Sequence, residues 1–378
     1  MIILGDALAI LRTMDADSID AIVTDPPAGI SFMGKDWDHH KGGRDAWIAW
    51  MAQIAAECLR VSKPGAHALV WAIPRTSHWT ATAWENGGWE VRDRIAHLFA
   101  TGFPKSLNLE GGLGTALKPA CEDWWLLRKP LSGTVGANMI KHGTGAVNVA
   151  ACRIGTQKKV PGKMSEASNG VYAKPNVRHR QAGQDPTIGR WPANVVTDGS
   201  EEVLAGFPQS DGQAGAVTGD EPSTPGVNFQ YAGARTASSP RGDTGSAARF
   251  FFVAKATRAD REEGLDAFLP KQQDESRDPD APGGNNPRNR GAGQRKNHHP
   301  TVKATSLMRW LVKLVTPPGG TVLDPFAGSG STGKACVFER RGFVGIEQDA
   351  EYVAIARARI AWAAAHLEPE QLALLGEP

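Results

Sequence analysis

The stretch Thr321-Val-Leu-Asp-Pro-Phe-Ala-Gly-Ser-Gly-Ser-Thr-Gly-Lys334 constrains the fold more than any other part of the chain. Thr321, Val322 and Leu323 follow the breaker Pro317-Pro-Gly-Gly320 and read as a strand. Thr332 to Arg340 reads as a helix, because nothing after Gly333 interrupts it. The turn between them holds Gly328, Gly330 and Gly333, whose small size lets backbone N–H groups approach a ligand at a helix N-terminus. A second strand, Gly342-Phe-Val-Gly-Ile346, ends on Glu347, where a carboxylate suits the two hydroxyls of a ribose. The stretch therefore reads as a nucleoside-binding half of a doubly wound α/β sheet. Gly328-Ser-Gly330-Ser-Thr-Gly333 also fits the dinucleotide fingerprint. A nicotinamide oxidoreductase and a glycine turn without ligand both stay open on this stretch alone.

The other end of the chain narrows the choice. Ile19-Asp-Ala-Ile-Val23 is an apolar run read as a buried strand, and it leads into Thr24-Asp25-Pro26-Pro27-Ala28-Gly29-Ile30. Two prolines stop the ladder and turn the following carbonyls outward. Asp25 then sits at the carboxyl end of a strand, where open α/β folds bind ligands. Read blandly, Asp25 is only a cap on a Pro-Pro turn.

The rest of the chain supplies the frame. Met1 to Leu4 reads as a strand, Ala7 to Met14 as a helix with Leu8, Ile10 and Leu11 inward, and Arg44 to Leu59 as an amphipathic helix. Pro64-Gly65 turns that helix into a strand, Ala66 to Ile73, and Ser77 to Asn86 follows as a helix. Trp89 to Phe99 alternates as a strand, and Trp124-Trp-Leu-Leu127 pairs with it as a hairpin. Thr305 to Val315 and Asp349 to His366 read as the last helices of the frame. The first of these carries Leu307, Met308, Leu311, Leu314 and Val315 on one side.

Between about Leu131 and Ser246 periodicity fades, and Gly, Ser, Asn and Pro dominate. Lys158, Lys159, Arg178, Arg180 and Arg190 gather there with few acids, interleaved with Tyr172, His179 and Trp191. Cations of this kind neutralise phosphates while polar and aromatic neighbours read bases. With a net charge of only +2, such a partner depends on local patches. The domain reading is 1–130, an insertion over 131–245, and 246–378 with a mobile loop over 271–296. The cysteines (Cys58, Cys121, Cys152, Cys336) are scattered without a C-x-x-C, which fits a reducing cytosol and neither zinc nor disulfides. No apolar run reaches transmembrane length, so no membrane partner is expected.

In this order, Asp25-Pro-Pro-Ala28, the irregular insertion and Asp324-Pro-Phe-Ala-Gly-Ser-Gly330 resemble the beta-subtype N6-adenine and N4-cytosine DNA methyltransferases. Phage and prophage members look most similar. Leu4-Gly-Asp-Ala-Leu8, Asn297-His-His-Pro-Thr-Val-Lys303 and Gly345-Ile-Glu-Gln-Asp349 add to the resemblance, which spans most of the chain. It implies a mostly parallel Rossmann-like sheet with a hairpin at its C-terminal edge, set in the cytoplasm of a bacterial or phage-infected cell. The implied cofactor is S-adenosyl-L-methionine. Asp25 and Asp324, with Phe326, Ala327, Gly328, Ser329 and Gly330, would surround it. Glu347 would take the ribose hydroxyls, Asp6 the adenine amino group, and Thr301, Lys303 and Ser306 the methionine carboxylate.

The implied reaction is methyl transfer to the exocyclic amine of a base flipped from double-stranded DNA, adenine N6 before cytosine N4 because the tetrad opens with Asp. Asp25, Pro26, Pro27 and Ala28 form the catalytic tetrad, and family members often form homodimers. The chain departs from the pattern at Ala28, where the family has an aromatic that stacks on the base, and at Ala304 and Asp123, where proline is usual. An engineered inactive variant, a decayed enzyme that only binds cofactor and DNA, or one in which Phe32 or Trp37 supplies the stacking face would each account for Ala28.

Overall fold

The computed structural model describes residues 1–32, 36–102, 109–158, 188–210, 244–272 and 293–367. Lys159, Arg178, Arg180 and most of the expected mobile loop lie outside the described residues.

One unit comprises Met1–Cys152, Asn194–Ser200 and Val253–Pro378. Its sheet is built on β1 (Ile2–Leu4), β2 (Ile19–Thr24), β3 (Ser62–Ala72), β4 (Glu90–Leu98) and β5 (Cys121–Arg128), with the later strands Thr321–Asp324 and Gly342–Glu347. In space the order runs β1, Gly342–Glu347, Thr321–Asp324, β2, β3, β5, β4. All pairs from β1 to β3 are parallel, while β5 is antiparallel to both β3 and β4. From Thr321–Asp324 the chain winds outward to Gly342–Glu347, and from β2 it winds the other way to β3. The two neighbouring strands therefore straddle a topological switch point, where crevices open at carboxyl ends.

The expected hairpin is present but is not the sheet edge. Val195–Thr197 adds in parallel beyond β4, and Ala254 N–H donates to the Thr197 carbonyl at 2.7 Å. Other boundaries moved by a few residues. The first helix stops at Leu11, and Pro64-Gly65 lies inside β3, with the Gly65 N–H donating to Pro130. The phenylalanines at 250–252 are only half-buried: Phe250 ends a 3-10 turn, Ala247–Phe250, and Phe252 opens the two-residue strand Phe252–Val253.

Helices cover both faces. Ile22, Ala68, Val70, Leu127 and Leu323 share one cluster with Trp47, Met51 and Ile54 of the Arg44–Val61 helix and Trp84 of the Ser77–Asn86 helix. Strand alternation sends Val23, Leu69 and Val322 to the other face. The Thr305–Val315 helix packs against β2 and β3. Most of its side chains are buried, because Leu307, Met308, Leu311, Leu314 and Val315 recur at helical spacing. Asp349 caps the Ala350–Ala365 helix by accepting from the Glu351 and Tyr352 N–H groups.

The second unit comprises Arg153–Ala193 and Glu201–Phe252. Its described part holds two short antiparallel pairs, Ile154–Lys158 with Ile188–Arg190 and Gln209–Ser210 with Gly245–Ser246. The segment Leu131–Cys152 belongs to the first unit, where buried Asn138 donates to the Pro64 and Thr144 carbonyls.

Leu69 is fully buried in β3 and Leu269 is 84% exposed. Leu69→Ala is expected to lower the unfolding free energy by about 2–5 kcal/mol. Leu269→Ala is expected to change it by no more than about 0.5 kcal/mol, both read from urea denaturation.

Candidate active site

A cavity of about 1230 Å³ opens at the switch point, lined from both β2 and the glycine turn. Asp324 closes its floor. Its Oδ1 accepts from Thr24 Oγ1 at 2.7 Å and from the Phe326 N–H at 3.1 Å, and its Oδ2 accepts from Thr332 Oγ1 at 2.6 Å. Burial nonetheless pushes its carboxyl up to about 6. The bridge locks the end of β2 to the start of the Ser331–Phe338 helix.

At the glycine turn, Glu347 Oε2 accepts from the Gly328 N–H at 2.8 Å and Oε1 from the Asp349 N–H at 2.9 Å. Burial raises its carboxyl above the ordinary range. Gly328 has φ +49°, and a Cβ there would lie 2.8 Å from His299 Nε2. Only glycine lets the turn come this close. His299 Nδ1 accepts from the Thr301 N–H at 3.3 Å, which puts the ring proton on Nε2. Burial, together with the Arg261 and Arg359 guanidinium charges, takes this imidazole down to about 3. Its ring lies 6.2 Å from that of Trp37 at an interplanar angle of 11°.

On the β2 side, the turn after Asp25-Pro-Pro is held by Asp38, whose carboxylate accepts from the N–H groups of Gly29 (2.8 Å), Ile30 (3.3 Å) and Phe32 (2.7 Å). Thr76 Oγ1 donates to the Ala28 carbonyl at 2.9 Å. Asp25 Oδ2 lies 3.2 Å from Lys303 Nζ, and the same ammonium is 3.8 Å from Glu122 Oε2 and 3.7 Å from the centre of the Trp71 ring. Burial pushes Asp25 up to about 6 against the pull of Lys303. For Glu122 the cost of burial is outweighed by Lys303, His97 and the Trp71 indole N–H, which draw its carboxyl down to about 2.

Among the residues expected to act, Asp25, Pro26, Pro27, Ala28, Phe32 and Trp37 line the cavity from one side. Asp6, Thr301, Lys303, Asp324, Phe326, Ala327, Gly328, Ser329 and Glu347 line it as well. Two others do not. Ser306 lies off the cavity wall with its hydroxyl buried and unpartnered, and Gly330 is turned, at φ +78°, against the backbone of Ala356. Lys303, expected at a ligand carboxylate, here pairs with the carboxylates of Asp25 and Glu122. Asp6 uses Oδ1 for the N-cap of the first helix, accepting from the Ala9 N–H at 2.9 Å. In the second unit, Arg190 stacks 5.1 Å over Phe250, and Arg153 lies 5.8 Å from the ring of Trp191, which is 65% exposed. Glu122 and Trp71 escaped sequence reasoning, because each lies inside an apolar strand that reads as core; the acid interrupting the end of such a strand was the available signal.

An open, mostly parallel sheet with a glycine turn and an Asp-Pro-Pro turn at its switch point defines a Rossmann-like methyltransferase architecture. The chain belongs to the DNA methylase family N6_N4_Mtase, whose profile matches residues 163–358, a little over half of its length. It is 40% identical over 76 residues to the DNA adenine methyltransferase YhdJ of Escherichia coli (strain K12), a match covering 20% of this chain and 26% of that relative. Among solved structures it is similar to the PvuII cytosine-N4-specific DNA methyltransferase, with a TM-score of 0.50 and 14% identity over 95% of this chain and 85% of that one. A structure titled as the M1.HpyAVI–SAM complex aligns with a TM-score of 0.41 and 16% identity, over 95% of this chain and 98% of that one.

Asp38→Ala strands three N–H groups beside the cavity. A loss of about 1–3 kcal/mol in unfolding free energy is expected, measured by urea denaturation. The neighbouring exposed Asp45→Ala serves as a control without effect.

Proposed function

We propose that the chain binds S-adenosyl-L-methionine in this cavity and transfers its methyl group to the exocyclic amine of a base flipped out of double-stranded DNA, adenine N6 ahead of cytosine N4. The observation that carries the reading is that Asp25-Pro-Pro and the Gly328–Glu347 pair face one cavity. Its volume of about 1230 Å³ exceeds the roughly 300–1,000 Å³ of a pocket for one small ligand and suits a cofactor beside a base.

The donor set fits the cofactor. The Glu347 carboxylate accepts from the Gly328 and Asp349 N–H groups and keeps acceptor capacity for the ribose hydroxyls. Asp6 and Thr301 line the nucleoside and methionine ends, and the closeness of Gly328 to His299 keeps the turn narrow. Bound there, the cofactor supplies an electrophilic methyl on a sulfonium. The chain's own residues prepare the amine. Asp25 Oδ2 is held by Lys303, so Oδ1 accepts one amino hydrogen, and the Pro26 carbonyl accepts the other. The nitrogen lone pair is thereby drawn out of the ring and aimed in line. Asp25 Oδ1, already hydrogen-bonded to the amine, would take the N–H proton that the nitrogen gives up as it gains the methyl and sulfur keeps the C–S bonding pair. The first tetrad residue, Asp25, and the likeness to a relative named as an adenine methyltransferase support N6 over N4.

Duplex DNA is the partner on this reading, with Arg153 and Arg190 of the second unit as phosphate contacts and Trp191 as a base platform. Lys158, Lys159, Arg178 and Arg180 would join them. A homodimer and a cytoplasmic setting accompany the family resemblance. Among the described residues no helix is long and apolar enough to cross a membrane.

Ala28 favours a second reading, a protein that binds cofactor and DNA without turnover. A lost base-stacking face costs about 1–3 kcal/mol, or roughly 5- to 150-fold in binding or rate. Phe32 and Trp37 line the same cavity, which supports stacking from another direction. Transfer of labelled methyl from S-adenosyl-L-methionine to mixed-sequence duplex DNA is expected to rise on Ala28→Tyr within that range. Absence of transfer from both chains would favour the binding-only reading. Cofactor affinity by calorimetry is expected to fall about 10- to 150-fold in Glu347→Ala, and unchanged affinity would remove Glu347 from the site.

A further inference from the structure

We propose that Glu122 is a positioning residue: together with Trp71 it fixes the Lys303 ammonium against Asp25, so that a buried carboxylate–ammonium–carboxylate triad sets the orientation and charge of the group that receives the amine. The inference rests on the reading of Asp25 given above and adds residues that the family motifs do not supply.

The triad borders the cavity, and its ammonium is engaged from three directions. Lys303 has a side chain only 11% exposed, yet three groups engage its Nζ: Asp25 Oδ2 at 3.2 Å, Glu122 Oε2 at 3.8 Å and the face of Trp71 at 3.7 Å. Trp71 Nε1 donates to the same Glu122 Oε2 at 2.8 Å, so the indole fixes the acid with its edge and the ammonium with its face. Trp71 and Glu122 sit in register on neighbouring strands: Trp71 pairs with Trp124 across β3 and β5, and Glu122 pairs with His97 across β5 and β4, the His97 Nδ1 lying 3.9 Å from Glu122 Oε2. A lysine opposite one aspartate could swing away on its long stem; two carboxylates and a ring leave it one position.

The second carboxylate is costly in a buried site, since it opposes ionisation of the first. What it contributes is charge. Asp25 and Lys303 alone would be neutral, whereas the triad keeps one net negative charge facing a cavity proposed to hold a sulfonium and an amine gaining positive charge. Besides Lys303 and Glu122, Asp324 faces Asp25 from the neighbouring strand and also favours its protonation. Lys303 and Glu122 thus act on Asp25 with opposite signs, which a structural role would not reproduce.

The test reads Asp25 directly in the full chain, without cofactor or DNA. Aspartate carboxyls are labelled with carbon-13 and titrated by NMR, and the Asp25 resonance is assigned by its loss in Asp25→Asn. The midpoint is expected to rise in Lys303→Met by about 1–3 pH units and to fall in Glu122→Gln. Should Lys303→Met fail to fold, Lys303→Gln keeps a donor without the charge and is expected to move the midpoint upward as well. Midpoints that stay put, or that move the same way in both variants, would overturn the triad. Opposite shifts with no methyl transfer in any chain would leave the triad standing and count against the proposed reaction instead.

Discussion

Everything in this site hangs on the buried bridge between Thr24, Asp324 and Thr332. It ties the last residue of β2 to the last residue of the neighbouring strand and to the helix that follows the glycine turn. At a switch point two strands run side by side while their connections depart in opposite directions, so nothing in the chain path itself holds the two turns together. The parallel pairing of the two strands does, and two hydroxyls donating to one carboxylate carry it on to the strand ends. The Asp-Pro-Pro turn and the glycine turn, contributed by opposite ends of the sequence, consequently open into the same cavity.

The cavity divides by chemistry. The side at the glycine turn is built from backbone: Gly328 N–H, Asp349 N–H and a glycine that allows contact with a neutral imidazole. Its other side is built from buried charge, with Asp25, Lys303 and Glu122 within reach of one another under a tryptophan ring. Backbone donors at a helix start tolerate little variation in shape, and a buried ion cluster tolerates little variation in charge. Ala28 belongs to neither requirement. Its backbone carbonyl is held by Thr76, and its side chain adds only a methyl group to the cavity wall. An aromatic can be missing there while the scaffold around it stays assembled.

How much of this was legible in the sequence followed the range of the interaction. The glycine turn, Glu347 and the Asp-Pro-Pro turn were visible because breakers, apolar runs and acids at strand ends are local signals. The Ser77–Asn86 and Thr305–Val315 helices matched their expected bounds for the same reason. Pairing beyond neighbouring segments was not visible. The β4–β5 hairpin was foreseen, yet its burial inside the sheet depends on Val195–Thr197, a three-residue strand in a stretch without periodicity. Glu122 was overlooked because Trp124-Trp-Leu-Leu127 dominates its strand, and the closeness of Lys303 to Asp25 and Glu122 was hidden because those acids lie far away in sequence. Ser306 sits within the first turn of its helix, off the cavity wall, while Thr301 and Lys303 precede the helix and line the cavity.

The central claim is that one ligand site unites the two ends of the chain. Hydrogen–deuterium exchange, read by mass spectrometry with and without S-adenosyl-L-methionine, tests it most directly. The account predicts slower exchange in peptides spanning Phe326–Gly330 and Glu347–Asp349 and, in the same experiment, in the peptide spanning Asp25–Ile30. Protection confined to the glycine turn, or absent from both regions at saturating cofactor, would contradict it.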